Sequence, residues 1–317
     1  MNILCVWPVT EAQRSFLDLK AGEEKIKYIP KADVGPEDLE KVEVLLGNVA
    51  PTMLEDAKKL KWLQLNSAGA DAYCKEGVLP TGTLLTNATG AYGLALSEHM
   101  LALLLAMKKK LYRYYDNQKA SLWRDEGTVT SIFGSRVLIV GMGDIGSEFG
   151  KKVKALGAYV VGIKRRASAK PDYIDAMATM DNLDQELALA DIVVSVLPGT
   201  KATYKIFNKE RFAAMKRGAC FLNIGRGNAV DTDALVEAAL SGHLGGVAVD
   251  VTDPEPLPAD HPLWSTPNVY ITPHISGDYH LPATLDNIVT IAGNNLAAYL
   301  KGEELHNLVD FTTGYKK

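Results

Sequence analysis

The sequence has little cysteine and no long hydrophobic segment, and each shortage argues against a class of protein. Its three cysteines, Cys5, Cys74 and Cys220, are far apart and lack the spacing of metal ligands, which argues against a disulfide framework or a metal site. The most apolar helical stretch, 100–107, is far shorter than the ~20 residues that span a bilayer. The amino terminus has neither a basic region nor a signal-like apolar core. We therefore expect a reduced, cytoplasmic protein with no membrane partner.

The chain also has no excess of positively charged residues. The chain carries 34 basic and 38 acidic residues, a formal net charge of −4. A domain that binds nucleic acid non-specifically is basic, so we expect no nucleic-acid partner. Apolar residues make up 47% and charged residues 23%, the balance of a globular protein with sizeable cores. A length of 317 residues favours about two domains.

Strands and helices alternate before residue 97, which implies a parallel sheet. The predicted strands are 2–7, 25–29, 42–47, 60–65 and 83–86, and the predicted helices are 11–21 and 52–59. A long helix is predicted from Ser97 to Tyr112, with Ser97 as its amino-terminal cap. It is apolar nearly all round from Met100 to Met107, which predicts burial between domains or at a subunit interface. His99 on this helix is expected to be a packed interior histidine.

A glycine-rich motif lies between two strands further along the chain. The apolar run 137–140 leads into Gly141, Met142, Gly143, Asp144, Ile145 and Gly146, which match G-x-G-x-x-G. A helix predicted over 147–156 and a strand over 159–163 complete the strand–helix–strand unit that a dinucleotide fingerprint requires. We therefore predict that the six motif residues bind a dinucleotide.

Each glycine of the motif has a physical task. Gly141 permits a tight turn, Gly143 lets the backbone approach a pyrophosphate, and Gly146 lets the helix lie close to the strand. The helix amino terminus then offers free N–H groups and partial positive charge to the phosphates.

A basic run, Lys164, Arg165 and Arg166, stands at the end of the second strand of this unit. NAD binders normally carry an acidic residue there, on the ribose 2′-hydroxyl. Guanidinium and ammonium groups instead pair with a phosphate. The run therefore predicts a preference for NADP(H) over NAD(H), and the alternative is a solvated basic loop.

The rest of the chain continues the α/β pattern. Further strands are predicted over 191–197, 219–224, 246–251 and 269–271, helices over 211–215, 233–241 and 285–300, and wrapping loops over 121–135 and 253–268. The last helix is expected to return the chain to the first domain, because the sheet there otherwise lacks cover on one face.

Three polar signatures each follow a predicted strand of the nucleotide domain, where open α/β sheets bind ligands. Arg226 stands between two glycines, Glu255 between two prolines, and His274 directly after a proline. Alone, each has an ordinary explanation as a surface arginine, a solvated acid or a loop histidine. Together they supply what hydride transfer to a 2-oxo acid needs: a cation for the carboxylate and ketone, an acid for the carbonyl oxygen, and a carboxylate that keeps the imidazole charged.

With the glycine motif, and in this order, these signatures resemble the D-2-hydroxyacid dehydrogenase family. The similar blocks are 66–71, 97–99, 141–146, 223–227, 250–258 and 272–277. The resemblance implies an α/β protein in which a doubly wound, parallel Rossmann nucleotide domain, residues 97–282, is inserted into a smaller flavodoxin-like substrate domain, residues 1–96 and 283–317. It also implies a homodimer formed through the long helix near Ser97.

The resemblance assigns roles residue by residue. Arg226 binds the substrate carboxylate and carbonyl, His274 is the acid/base, Glu255 pairs with His274, and the backbone of Ser67, Ala68 and Gly69 holds the substrate carboxylate. Besides the motif and the basic run, the implied cofactor contacts are Leu197, Pro198 and Thr203 on the adenine and ribose side, Ile224 on the nicotinamide side, Asp250 on the nicotinamide amide, and His274 and Gly277.

The implied activity is reversible reduction of a 2-oxo acid to the (R)-2-hydroxy acid. Lys164 replaces the aspartate usual in NAD-preferring members. The chain ends soon after the last predicted helix, so no regulatory domain is expected there. That argues against a feedback-regulated phosphoglycerate dehydrogenase and leaves reductases of glyoxylate, hydroxypyruvate or bulkier 2-oxo acids. The sequence does not identify the substrate side chain; the aromatic candidates near it are Trp7, Tyr73, Tyr92, Trp264 and Tyr279.

Two other functions remain open on the same scaffold. One is a nucleotide-sensing interaction protein similar to the transcriptional corepressors that share the fold. The other is formate or phosphite oxidation, whose enzymes usually carry an aspartate at the ribose.

Overall fold

The computed structural model describes residues 1–312 and 314–316, and it divides into two compact units. The first unit comprises Met1–Tyr92 and Tyr279–Lys317, and the second comprises Gly93–Asp278. The second unit is thus inserted into the first along the chain. The predicted boundaries, after residues 96 and 282, lie slightly further along the chain.

The first unit is built on a parallel five-stranded sheet. Its elements before the insertion are β1 (Ile3–Cys5), α1 (Glu11–Ala21), β2 (Ile26–Tyr28), α2 (Pro36–Leu39), β3 (Val44–Leu46), β4 (Trp62–Gln64) and β5 (Leu84–Thr86). The strand order β2-β1-β3-β4-β5 is the flavodoxin-like one. Every residue of β1, β3 and β4 is buried, as expected of parallel strands covered on both faces.

The second unit is built on a parallel seven-stranded sheet. Its elements are α3 (Gly93–Lys108), α4 (Leu111–Lys119), β6 (Arg136–Val140), α5 (Asp144–Ala155), β7 (Tyr159–Lys164), β8 (Ala176–Thr179), α6 (Leu183–Leu189), β9 (Ile192–Ser195), α7 (Lys209–Ala214), β10 (Ala219–Asn223), α8 (Thr232–Leu240), β11 (Leu244–Val249) and β12 (Val269–Ile271). The order β12-β11-β10-β9-β6-β7-β8 is that of a doubly wound Rossmann sheet. The strand order reverses between β6 and β9, where such sheets bind nucleotides.

The chain then returns to the first unit through α9 (Pro282–Lys301), β13 (Val309–Asp310) and β14 (Tyr315–Lys316). Helix α9 packs on α1 so closely that a Cβ atom at Gly293 would lie 2.5 Å from the Phe16 ring. Its Tyr299 also packs against Trp62 of β4, with ring centroids 5.1 Å apart. The last helix therefore covers the first sheet. In the described part of the chain, no helix has the length and apolar character needed to cross a bilayer.

An aromatic cluster closes the core of the second unit on the side of β9 and β10. The Phe221 ring lies 5.0 Å from that of Phe207 and 5.2 Å from that of Phe212, both at edge-on angles. Edge-to-face rings at this separation stabilise a core beyond the area they bury. The cluster therefore anchors β10, the strand that leads to Arg226.

The predicted ends of the long apolar helix are wrong. The helix begins at Gly93 and not at a Ser97 cap. Ser97 is completely buried inside it, and its hydroxyl donates to the Leu94 carbonyl oxygen at 3.0 Å. Such back-bonding competes with capping and places serine within the helix. The helix ends at Lys108, because Lys110 adopts a left-handed φ of 56° before α4 starts.

Three smaller predictions also need correction. The segment predicted as a helix over 52–59 is a 3₁₀ turn, Pro51–Asp56, that ends where Ala57 leaves helical ψ. Helix α5 begins at Asp144 and not at residue 147, because the last residues of the glycine motif form its first turn. Strand β8 was not predicted, because its four half-buried residues are mostly alanine and methionine, which are not typical of strands.

Candidate active site

The three glycines of the motif occupy different environments. Gly141 has φ +112°, and a Cβ atom there would lie 2.7 Å from the Val196 carbonyl oxygen. A Cβ atom at Gly146 would lie 2.3 Å from the Gly141 carbonyl oxygen, whereas one at Gly143 would meet nothing within 4 Å. The first and third glycines are therefore required by packing. The second leaves an open backbone surface that a pyrophosphate fits.

The start of α5 is prepared for an anion. Gly143 is its N-cap and provides no side-chain hydrogen bond, so the N–H groups of its first turn, formed by Asp144, Ile145 and Gly146, point beyond the helix end. Met142 instead turns inward, is 4% exposed and packs against Gly162. The residues present thus fit the phosphates of a dinucleotide.

The basic run follows β7 at the same edge of the sheet. Lys164 is half-buried, and Arg165 and Arg166 are exposed. None of the three forms an ion pair with another residue that the structure describes. Their charges are therefore not neutralised by a neighbouring carboxylate, as a site for an additional phosphate requires.

Arg226, Glu255 and His274 follow three neighbouring strands. They come after β10, β11 and β12, which are parallel and adjacent in the sheet. Because carboxyl ends of parallel strands meet at one edge, the fold brings to one place residues that are far apart in sequence.

His274 and Glu255 are in direct contact. The His274 Nδ1 and Glu255 Oε1 atoms lie 2.5 Å apart, and the two side chains are 47% and 42% exposed. With Glu255 accepting, the hydrogen on Nδ1 is held in place and Nε2 is left to exchange a proton. The histidine backbone adopts φ 52°, and its N–H donates to the Asp250 carbonyl oxygen at 2.8 Å.

The backbone around Arg226 is held tightly. A Cβ atom at Gly227 would lie 1.8 Å from the Thr252 carbonyl oxygen, so no larger residue fits there. The Asn223 side-chain amide donates to the Arg226 carbonyl oxygen at 3.0 Å. The glycines beside Arg226 thus let its backbone pack against the loop after β11. This packing fixes the position of the arginine backbone, from which the side chain extends.

Asp250 holds the loop that carries His274, residues 272–276, which we call the histidine loop. It is 2% exposed, and its carboxylate accepts from the Thr272 hydroxyl at 2.5 Å and from the Ser276 backbone N–H at 3.2 Å. These contacts on either side of His274 position the loop. The predicted contact of Asp250 with the nicotinamide amide stays a prediction, and the roles of Thr272 and Ser276 were missed by sequence reasoning.

His99 belongs to the same network. Its Nε2 lies 3.1 Å from the Thr272 hydroxyl and 3.9 Å from Asp250, and its side chain is 22% exposed. It is thus largely packed, and it supports the loop indirectly.

The remaining predicted cofactor contacts lie on loops after β9, β10 and β12. Leu197 and Ile224 are buried, with 7% and 4% exposure. The Thr203 hydroxyl donates to the Pro198 carbonyl oxygen and accepts from the Thr200 N–H at 2.9 Å, so it closes its loop. Gly277 lies three residues after His274. The cofactor contacts of all these residues stay predictions.

In the first unit, the loop after β4 presents backbone donors. No N–H group of Ser67, Ala68 or Gly69 donates to any residue that the structure describes. The Ser67 hydroxyl donates to the Gly69 carbonyl oxygen at 2.6 Å, and Asn87 donates to the Ala68 carbonyl oxygen at 2.8 Å. The carbonyls are thus satisfied while the N–H groups stay available for an anion.

Side chains distant in sequence brace this loop. Asn48 accepts from the Asn66 N–H at 2.9 Å and donates to the Ser67 hydroxyl at 3.0 Å. Asn66 in turn donates to the Tyr279 hydroxyl at 2.6 Å, and its carbonyl oxygen accepts from the Tyr92 hydroxyl. Two of the aromatic candidates therefore reach the loop, whereas Asn48 carried no sequence signal.

Comparison with known proteins agrees with this geometry. The family model for the NAD binding domain of D-isomer specific 2-hydroxyacid dehydrogenase matches residues 101–276. Glyoxylate/hydroxypyruvate reductase B of Pectobacterium carotovorum is 32% identical over 270 residues, 83% of each chain. A D-isomer specific 2-hydroxyacid dehydrogenase family protein from Aeromonas salmonicida aligns with TM-score 0.85 and 32% identity over 98% of this chain and 99% of its own. The enzyme from Xanthobacter autotrophicus, solved with NADPH and MES, aligns with TM-score 0.82 and 27% identity over 99% of both chains.

Proposed function

Because the chain belongs to the D-isomer specific 2-hydroxyacid dehydrogenase family, whose members are NAD(P)-dependent oxidoreductases acting on CH–OH groups, we propose that it reduces a small 2-oxo acid to the (R)-2-hydroxy acid, reversibly and with NADP(H). One observation carries the proposal: His274, which follows β12, contacts Glu255, which follows β11, at 2.5 Å, and Arg226 follows the adjacent strand β10.

The catalytic side chains divide the tasks of this reaction. His274 gives a proton to the carbonyl oxygen from Nε2 during reduction and takes it back during oxidation. Glu255 holds the ring and stabilises its positive charge. Arg226 binds the carboxylate and polarises the ketone, and the N–H groups of residues 67–69 are likewise assigned to the substrate carboxylate. The bound nicotinamide cofactor supplies or accepts the hydride.

Glu255→Gln should lower the rate of reduction at neutral pH about ten- to a hundredfold, because an amide stabilises the protonated imidazole less than a carboxylate does. Steady-state kcat in both directions measures this. Asp253→Asn, a neutralised acid on the same loop, is the matched control, and an unchanged kcat in Glu255→Gln would contradict the assigned role.

The proposed cofactor is tested together with the reaction. We expect steady-state turnover with at least one of glyoxylate, hydroxypyruvate, pyruvate and an aromatic 2-oxo acid, with a lower KM for NADPH than for NADH. Replacing Arg165 and Arg166 by alanine should raise the NADPH KM about tenfold or more and leave the NADH KM unchanged, since only the former loses charged contacts.

Arg217→Ala, which removes an exposed arginine at the other end of the sheet, controls for charge alone. Equal use of both nucleotides would overturn the NADP(H) assignment. Absence of turnover with the whole substrate panel would overturn the reductase assignment and favour a nucleotide-sensing interaction protein.

The braced loop of the first unit supports a polar substrate. Asn48 and Asn66 place amide groups around Ser67, and the Tyr92 and Tyr279 hydroxyls add further polar atoms. Polar surroundings favour a short or hydroxylated substrate side chain over an aliphatic one. Within the proposed class, glyoxylate and hydroxypyruvate are therefore the favoured substrates.

The assembly proposed with this function is a cytoplasmic homodimer. All three cysteines are free thiols in the structure, in keeping with a reducing compartment. Large apolar side chains are exposed on α4 and the loop after it, among them Tyr115 at 58%, Trp123 at 106% and Phe133 at 77%. Such exposure on one segment is typical of a surface that contacts another chain.

A further inference from the structure

A second pocket lies in the second unit, at the end of the sheet away from the catalytic residues. It has a volume of about 210 Å³ and lies at the amino ends of β10, β11 and β12, beside the carboxyl end of α3. The catalytic side chains follow the opposite ends of the same strands. The pocket is therefore separate from the dinucleotide and substrate sites.

Its lining is cationic. Lys108, Lys110 and Arg113 contribute to it, and no carboxylate does among the residues the structure describes. The nearest acids are engaged: Asp191 pairs with Lys216 at 2.7 Å, and Glu126 lies 3.7 Å from one side of Arg113. The pocket therefore carries net positive charge.

Lys108 is the unusual member of this set. It is 8% exposed, yet its ammonium group forms no hydrogen bond or ion pair with any described residue. Its neighbours are satisfied: Lys110 donates to the Glu126 carbonyl oxygen and Arg113 donates to the Asn268 side chain at 3.0 Å. Because little of the side chain is exposed and the residue lines the pocket, its unneutralised charge is available to an anion there.

The rest of the lining suits a small oxyanion. Thr130 and Tyr270 are among the lining residues, and Gly245 leaves a wall without a side chain. The volume of about 210 Å³ is many times the ~10–15 Å³ of probe volume that one water needs, so a phosphoryl group fits. Three cations match a dianion better than a single carboxylate.

We propose that this pocket binds a phosphoryl group, either inorganic phosphate or that of a small phosphorylated metabolite, with Lys108 as its central ligand. This proposal does not depend on the proposed reductase activity, so either one can be contradicted by experiment without affecting the other.

The test measures the melting temperature as inorganic phosphate replaces chloride at constant ionic strength. Wild type should be stabilised, because a ligand of the folded state raises its stability. Lys108→Met should weaken the apparent phosphate affinity about tenfold or more, as loss of a charged hydrogen bond does. In phosphate-free buffer it should melt close to wild type, since no hydrogen bond or ion pair of the lysine side chain is lost. Lys109→Met, which removes the exposed neighbouring lysine, should behave as wild type.

Because all three proteins keep the same dinucleotide site, phosphate bound there cancels in the comparison. An unchanged response in Lys108→Met, or none in wild type, overturns the proposal. Glycerol phosphate distinguishes the sources: tighter binding than inorganic phosphate identifies a metabolite, and equal binding identifies the free ion. One further outcome would overturn the proposal: wild type shows no phosphate response, and light scattering gives a lower molecular mass for Lys108→Met than for wild type. That result would assign the lysine to a contact between copies of the chain.

A second measurement needs no variant. Acylation of Lys108 by an amine reagent, followed by peptide mass spectrometry, should slow about tenfold at saturating phosphate, whereas that of the adjacent Lys109 should not change. Equal protection of both lysines, or of neither, contradicts the site.

Discussion

His274→Ala should lower kcat by about a thousandfold or more while NADPH binds as in wild type. A positioned general acid contributes about a hundred- to ten-thousandfold to such a rate, and among the described residues only the His274 imidazole contacts Glu255. The histidine follows β12, whereas the phosphate-binding turn follows β6, so its removal leaves the nucleotide cradle intact. Stopped-flow or steady-state kinetics with excess substrate measures kcat, and nucleotide fluorescence titration measures binding.

His243→Gln is the matched control for that variant. This histidine lies just before β11 at the opposite edge of the sheet, where its Nε2 meets the Met215 carbonyl oxygen at 2.9 Å. It should retain kcat within about twofold, because its contact is structural. Substantial turnover by His274→Ala would show that His274 is not the general acid. Loss of NADPH binding would show that the substitution had disturbed the loop that carries His274.

The architecture was largely readable because the strands that carry it are uninterrupted apolar runs. Val137–Val140 and the strand over 219–223 lie at the centre of a parallel sheet, are buried on both faces, and need continuous hydrophobic sequence. Strand β8 lies at the edge, where half-burial suffices, and its residues, mostly alanine and methionine, are not typical of strands. Ser97 was misassigned because a serine that bonds back within a helix has the same sequence appearance as one that caps it.

The candidate site was predicted in part, for a related reason. Arg226, Glu255 and His274 are conspicuous because glycine or proline flanks each of them, which marks a strictly placed backbone. Asn48 carries no such mark and reaches Ser67 through the tertiary fold, 19 positions along the chain. Tyr279 meets Asn66 across 213 positions. Contacts made only by folding leave no local pattern, so they were invisible in one sequence.

The support beneath the histidine loop was hidden in the same way. Asp250 drew attention as a possible cofactor contact, but its carboxylate is occupied by Thr272 and by the Ser276 N–H. Burial at 2% exposure makes those bonds necessary, because an unsatisfied buried carboxylate is costly. The sequence showed that an acidic residue follows this strand, and only the fold shows that its carboxylate binds Thr272 and Ser276.

Arg226→Ala should reduce kcat/KM for the 2-oxo acid about a thousandfold while leaving the NADPH dissociation constant within about twofold of wild type. The guanidinium is assigned to two tasks, binding the carboxylate and stabilising charge on the ketone oxygen, and loss of a donor to developing charge costs about a hundred- to a thousandfold in rate alone. Arg226→Lys should recover part of the loss, since a lysine restores charge without the planar pair of donors.

The split between the constants distinguishes these tasks from a structural one. Loss of carboxylate binding raises KM, loss of ketone polarisation lowers kcat, and a collapsed loop would also weaken NADPH binding and lower the melting temperature. Arg211→Ala, which breaks an arginine ion pair with Asp184 at 2.6 Å in the same unit, should change stability slightly and kinetics not at all. If Arg226→Ala kept its KM and kcat, the assignment of this arginine to the substrate carboxylate and ketone would be wrong.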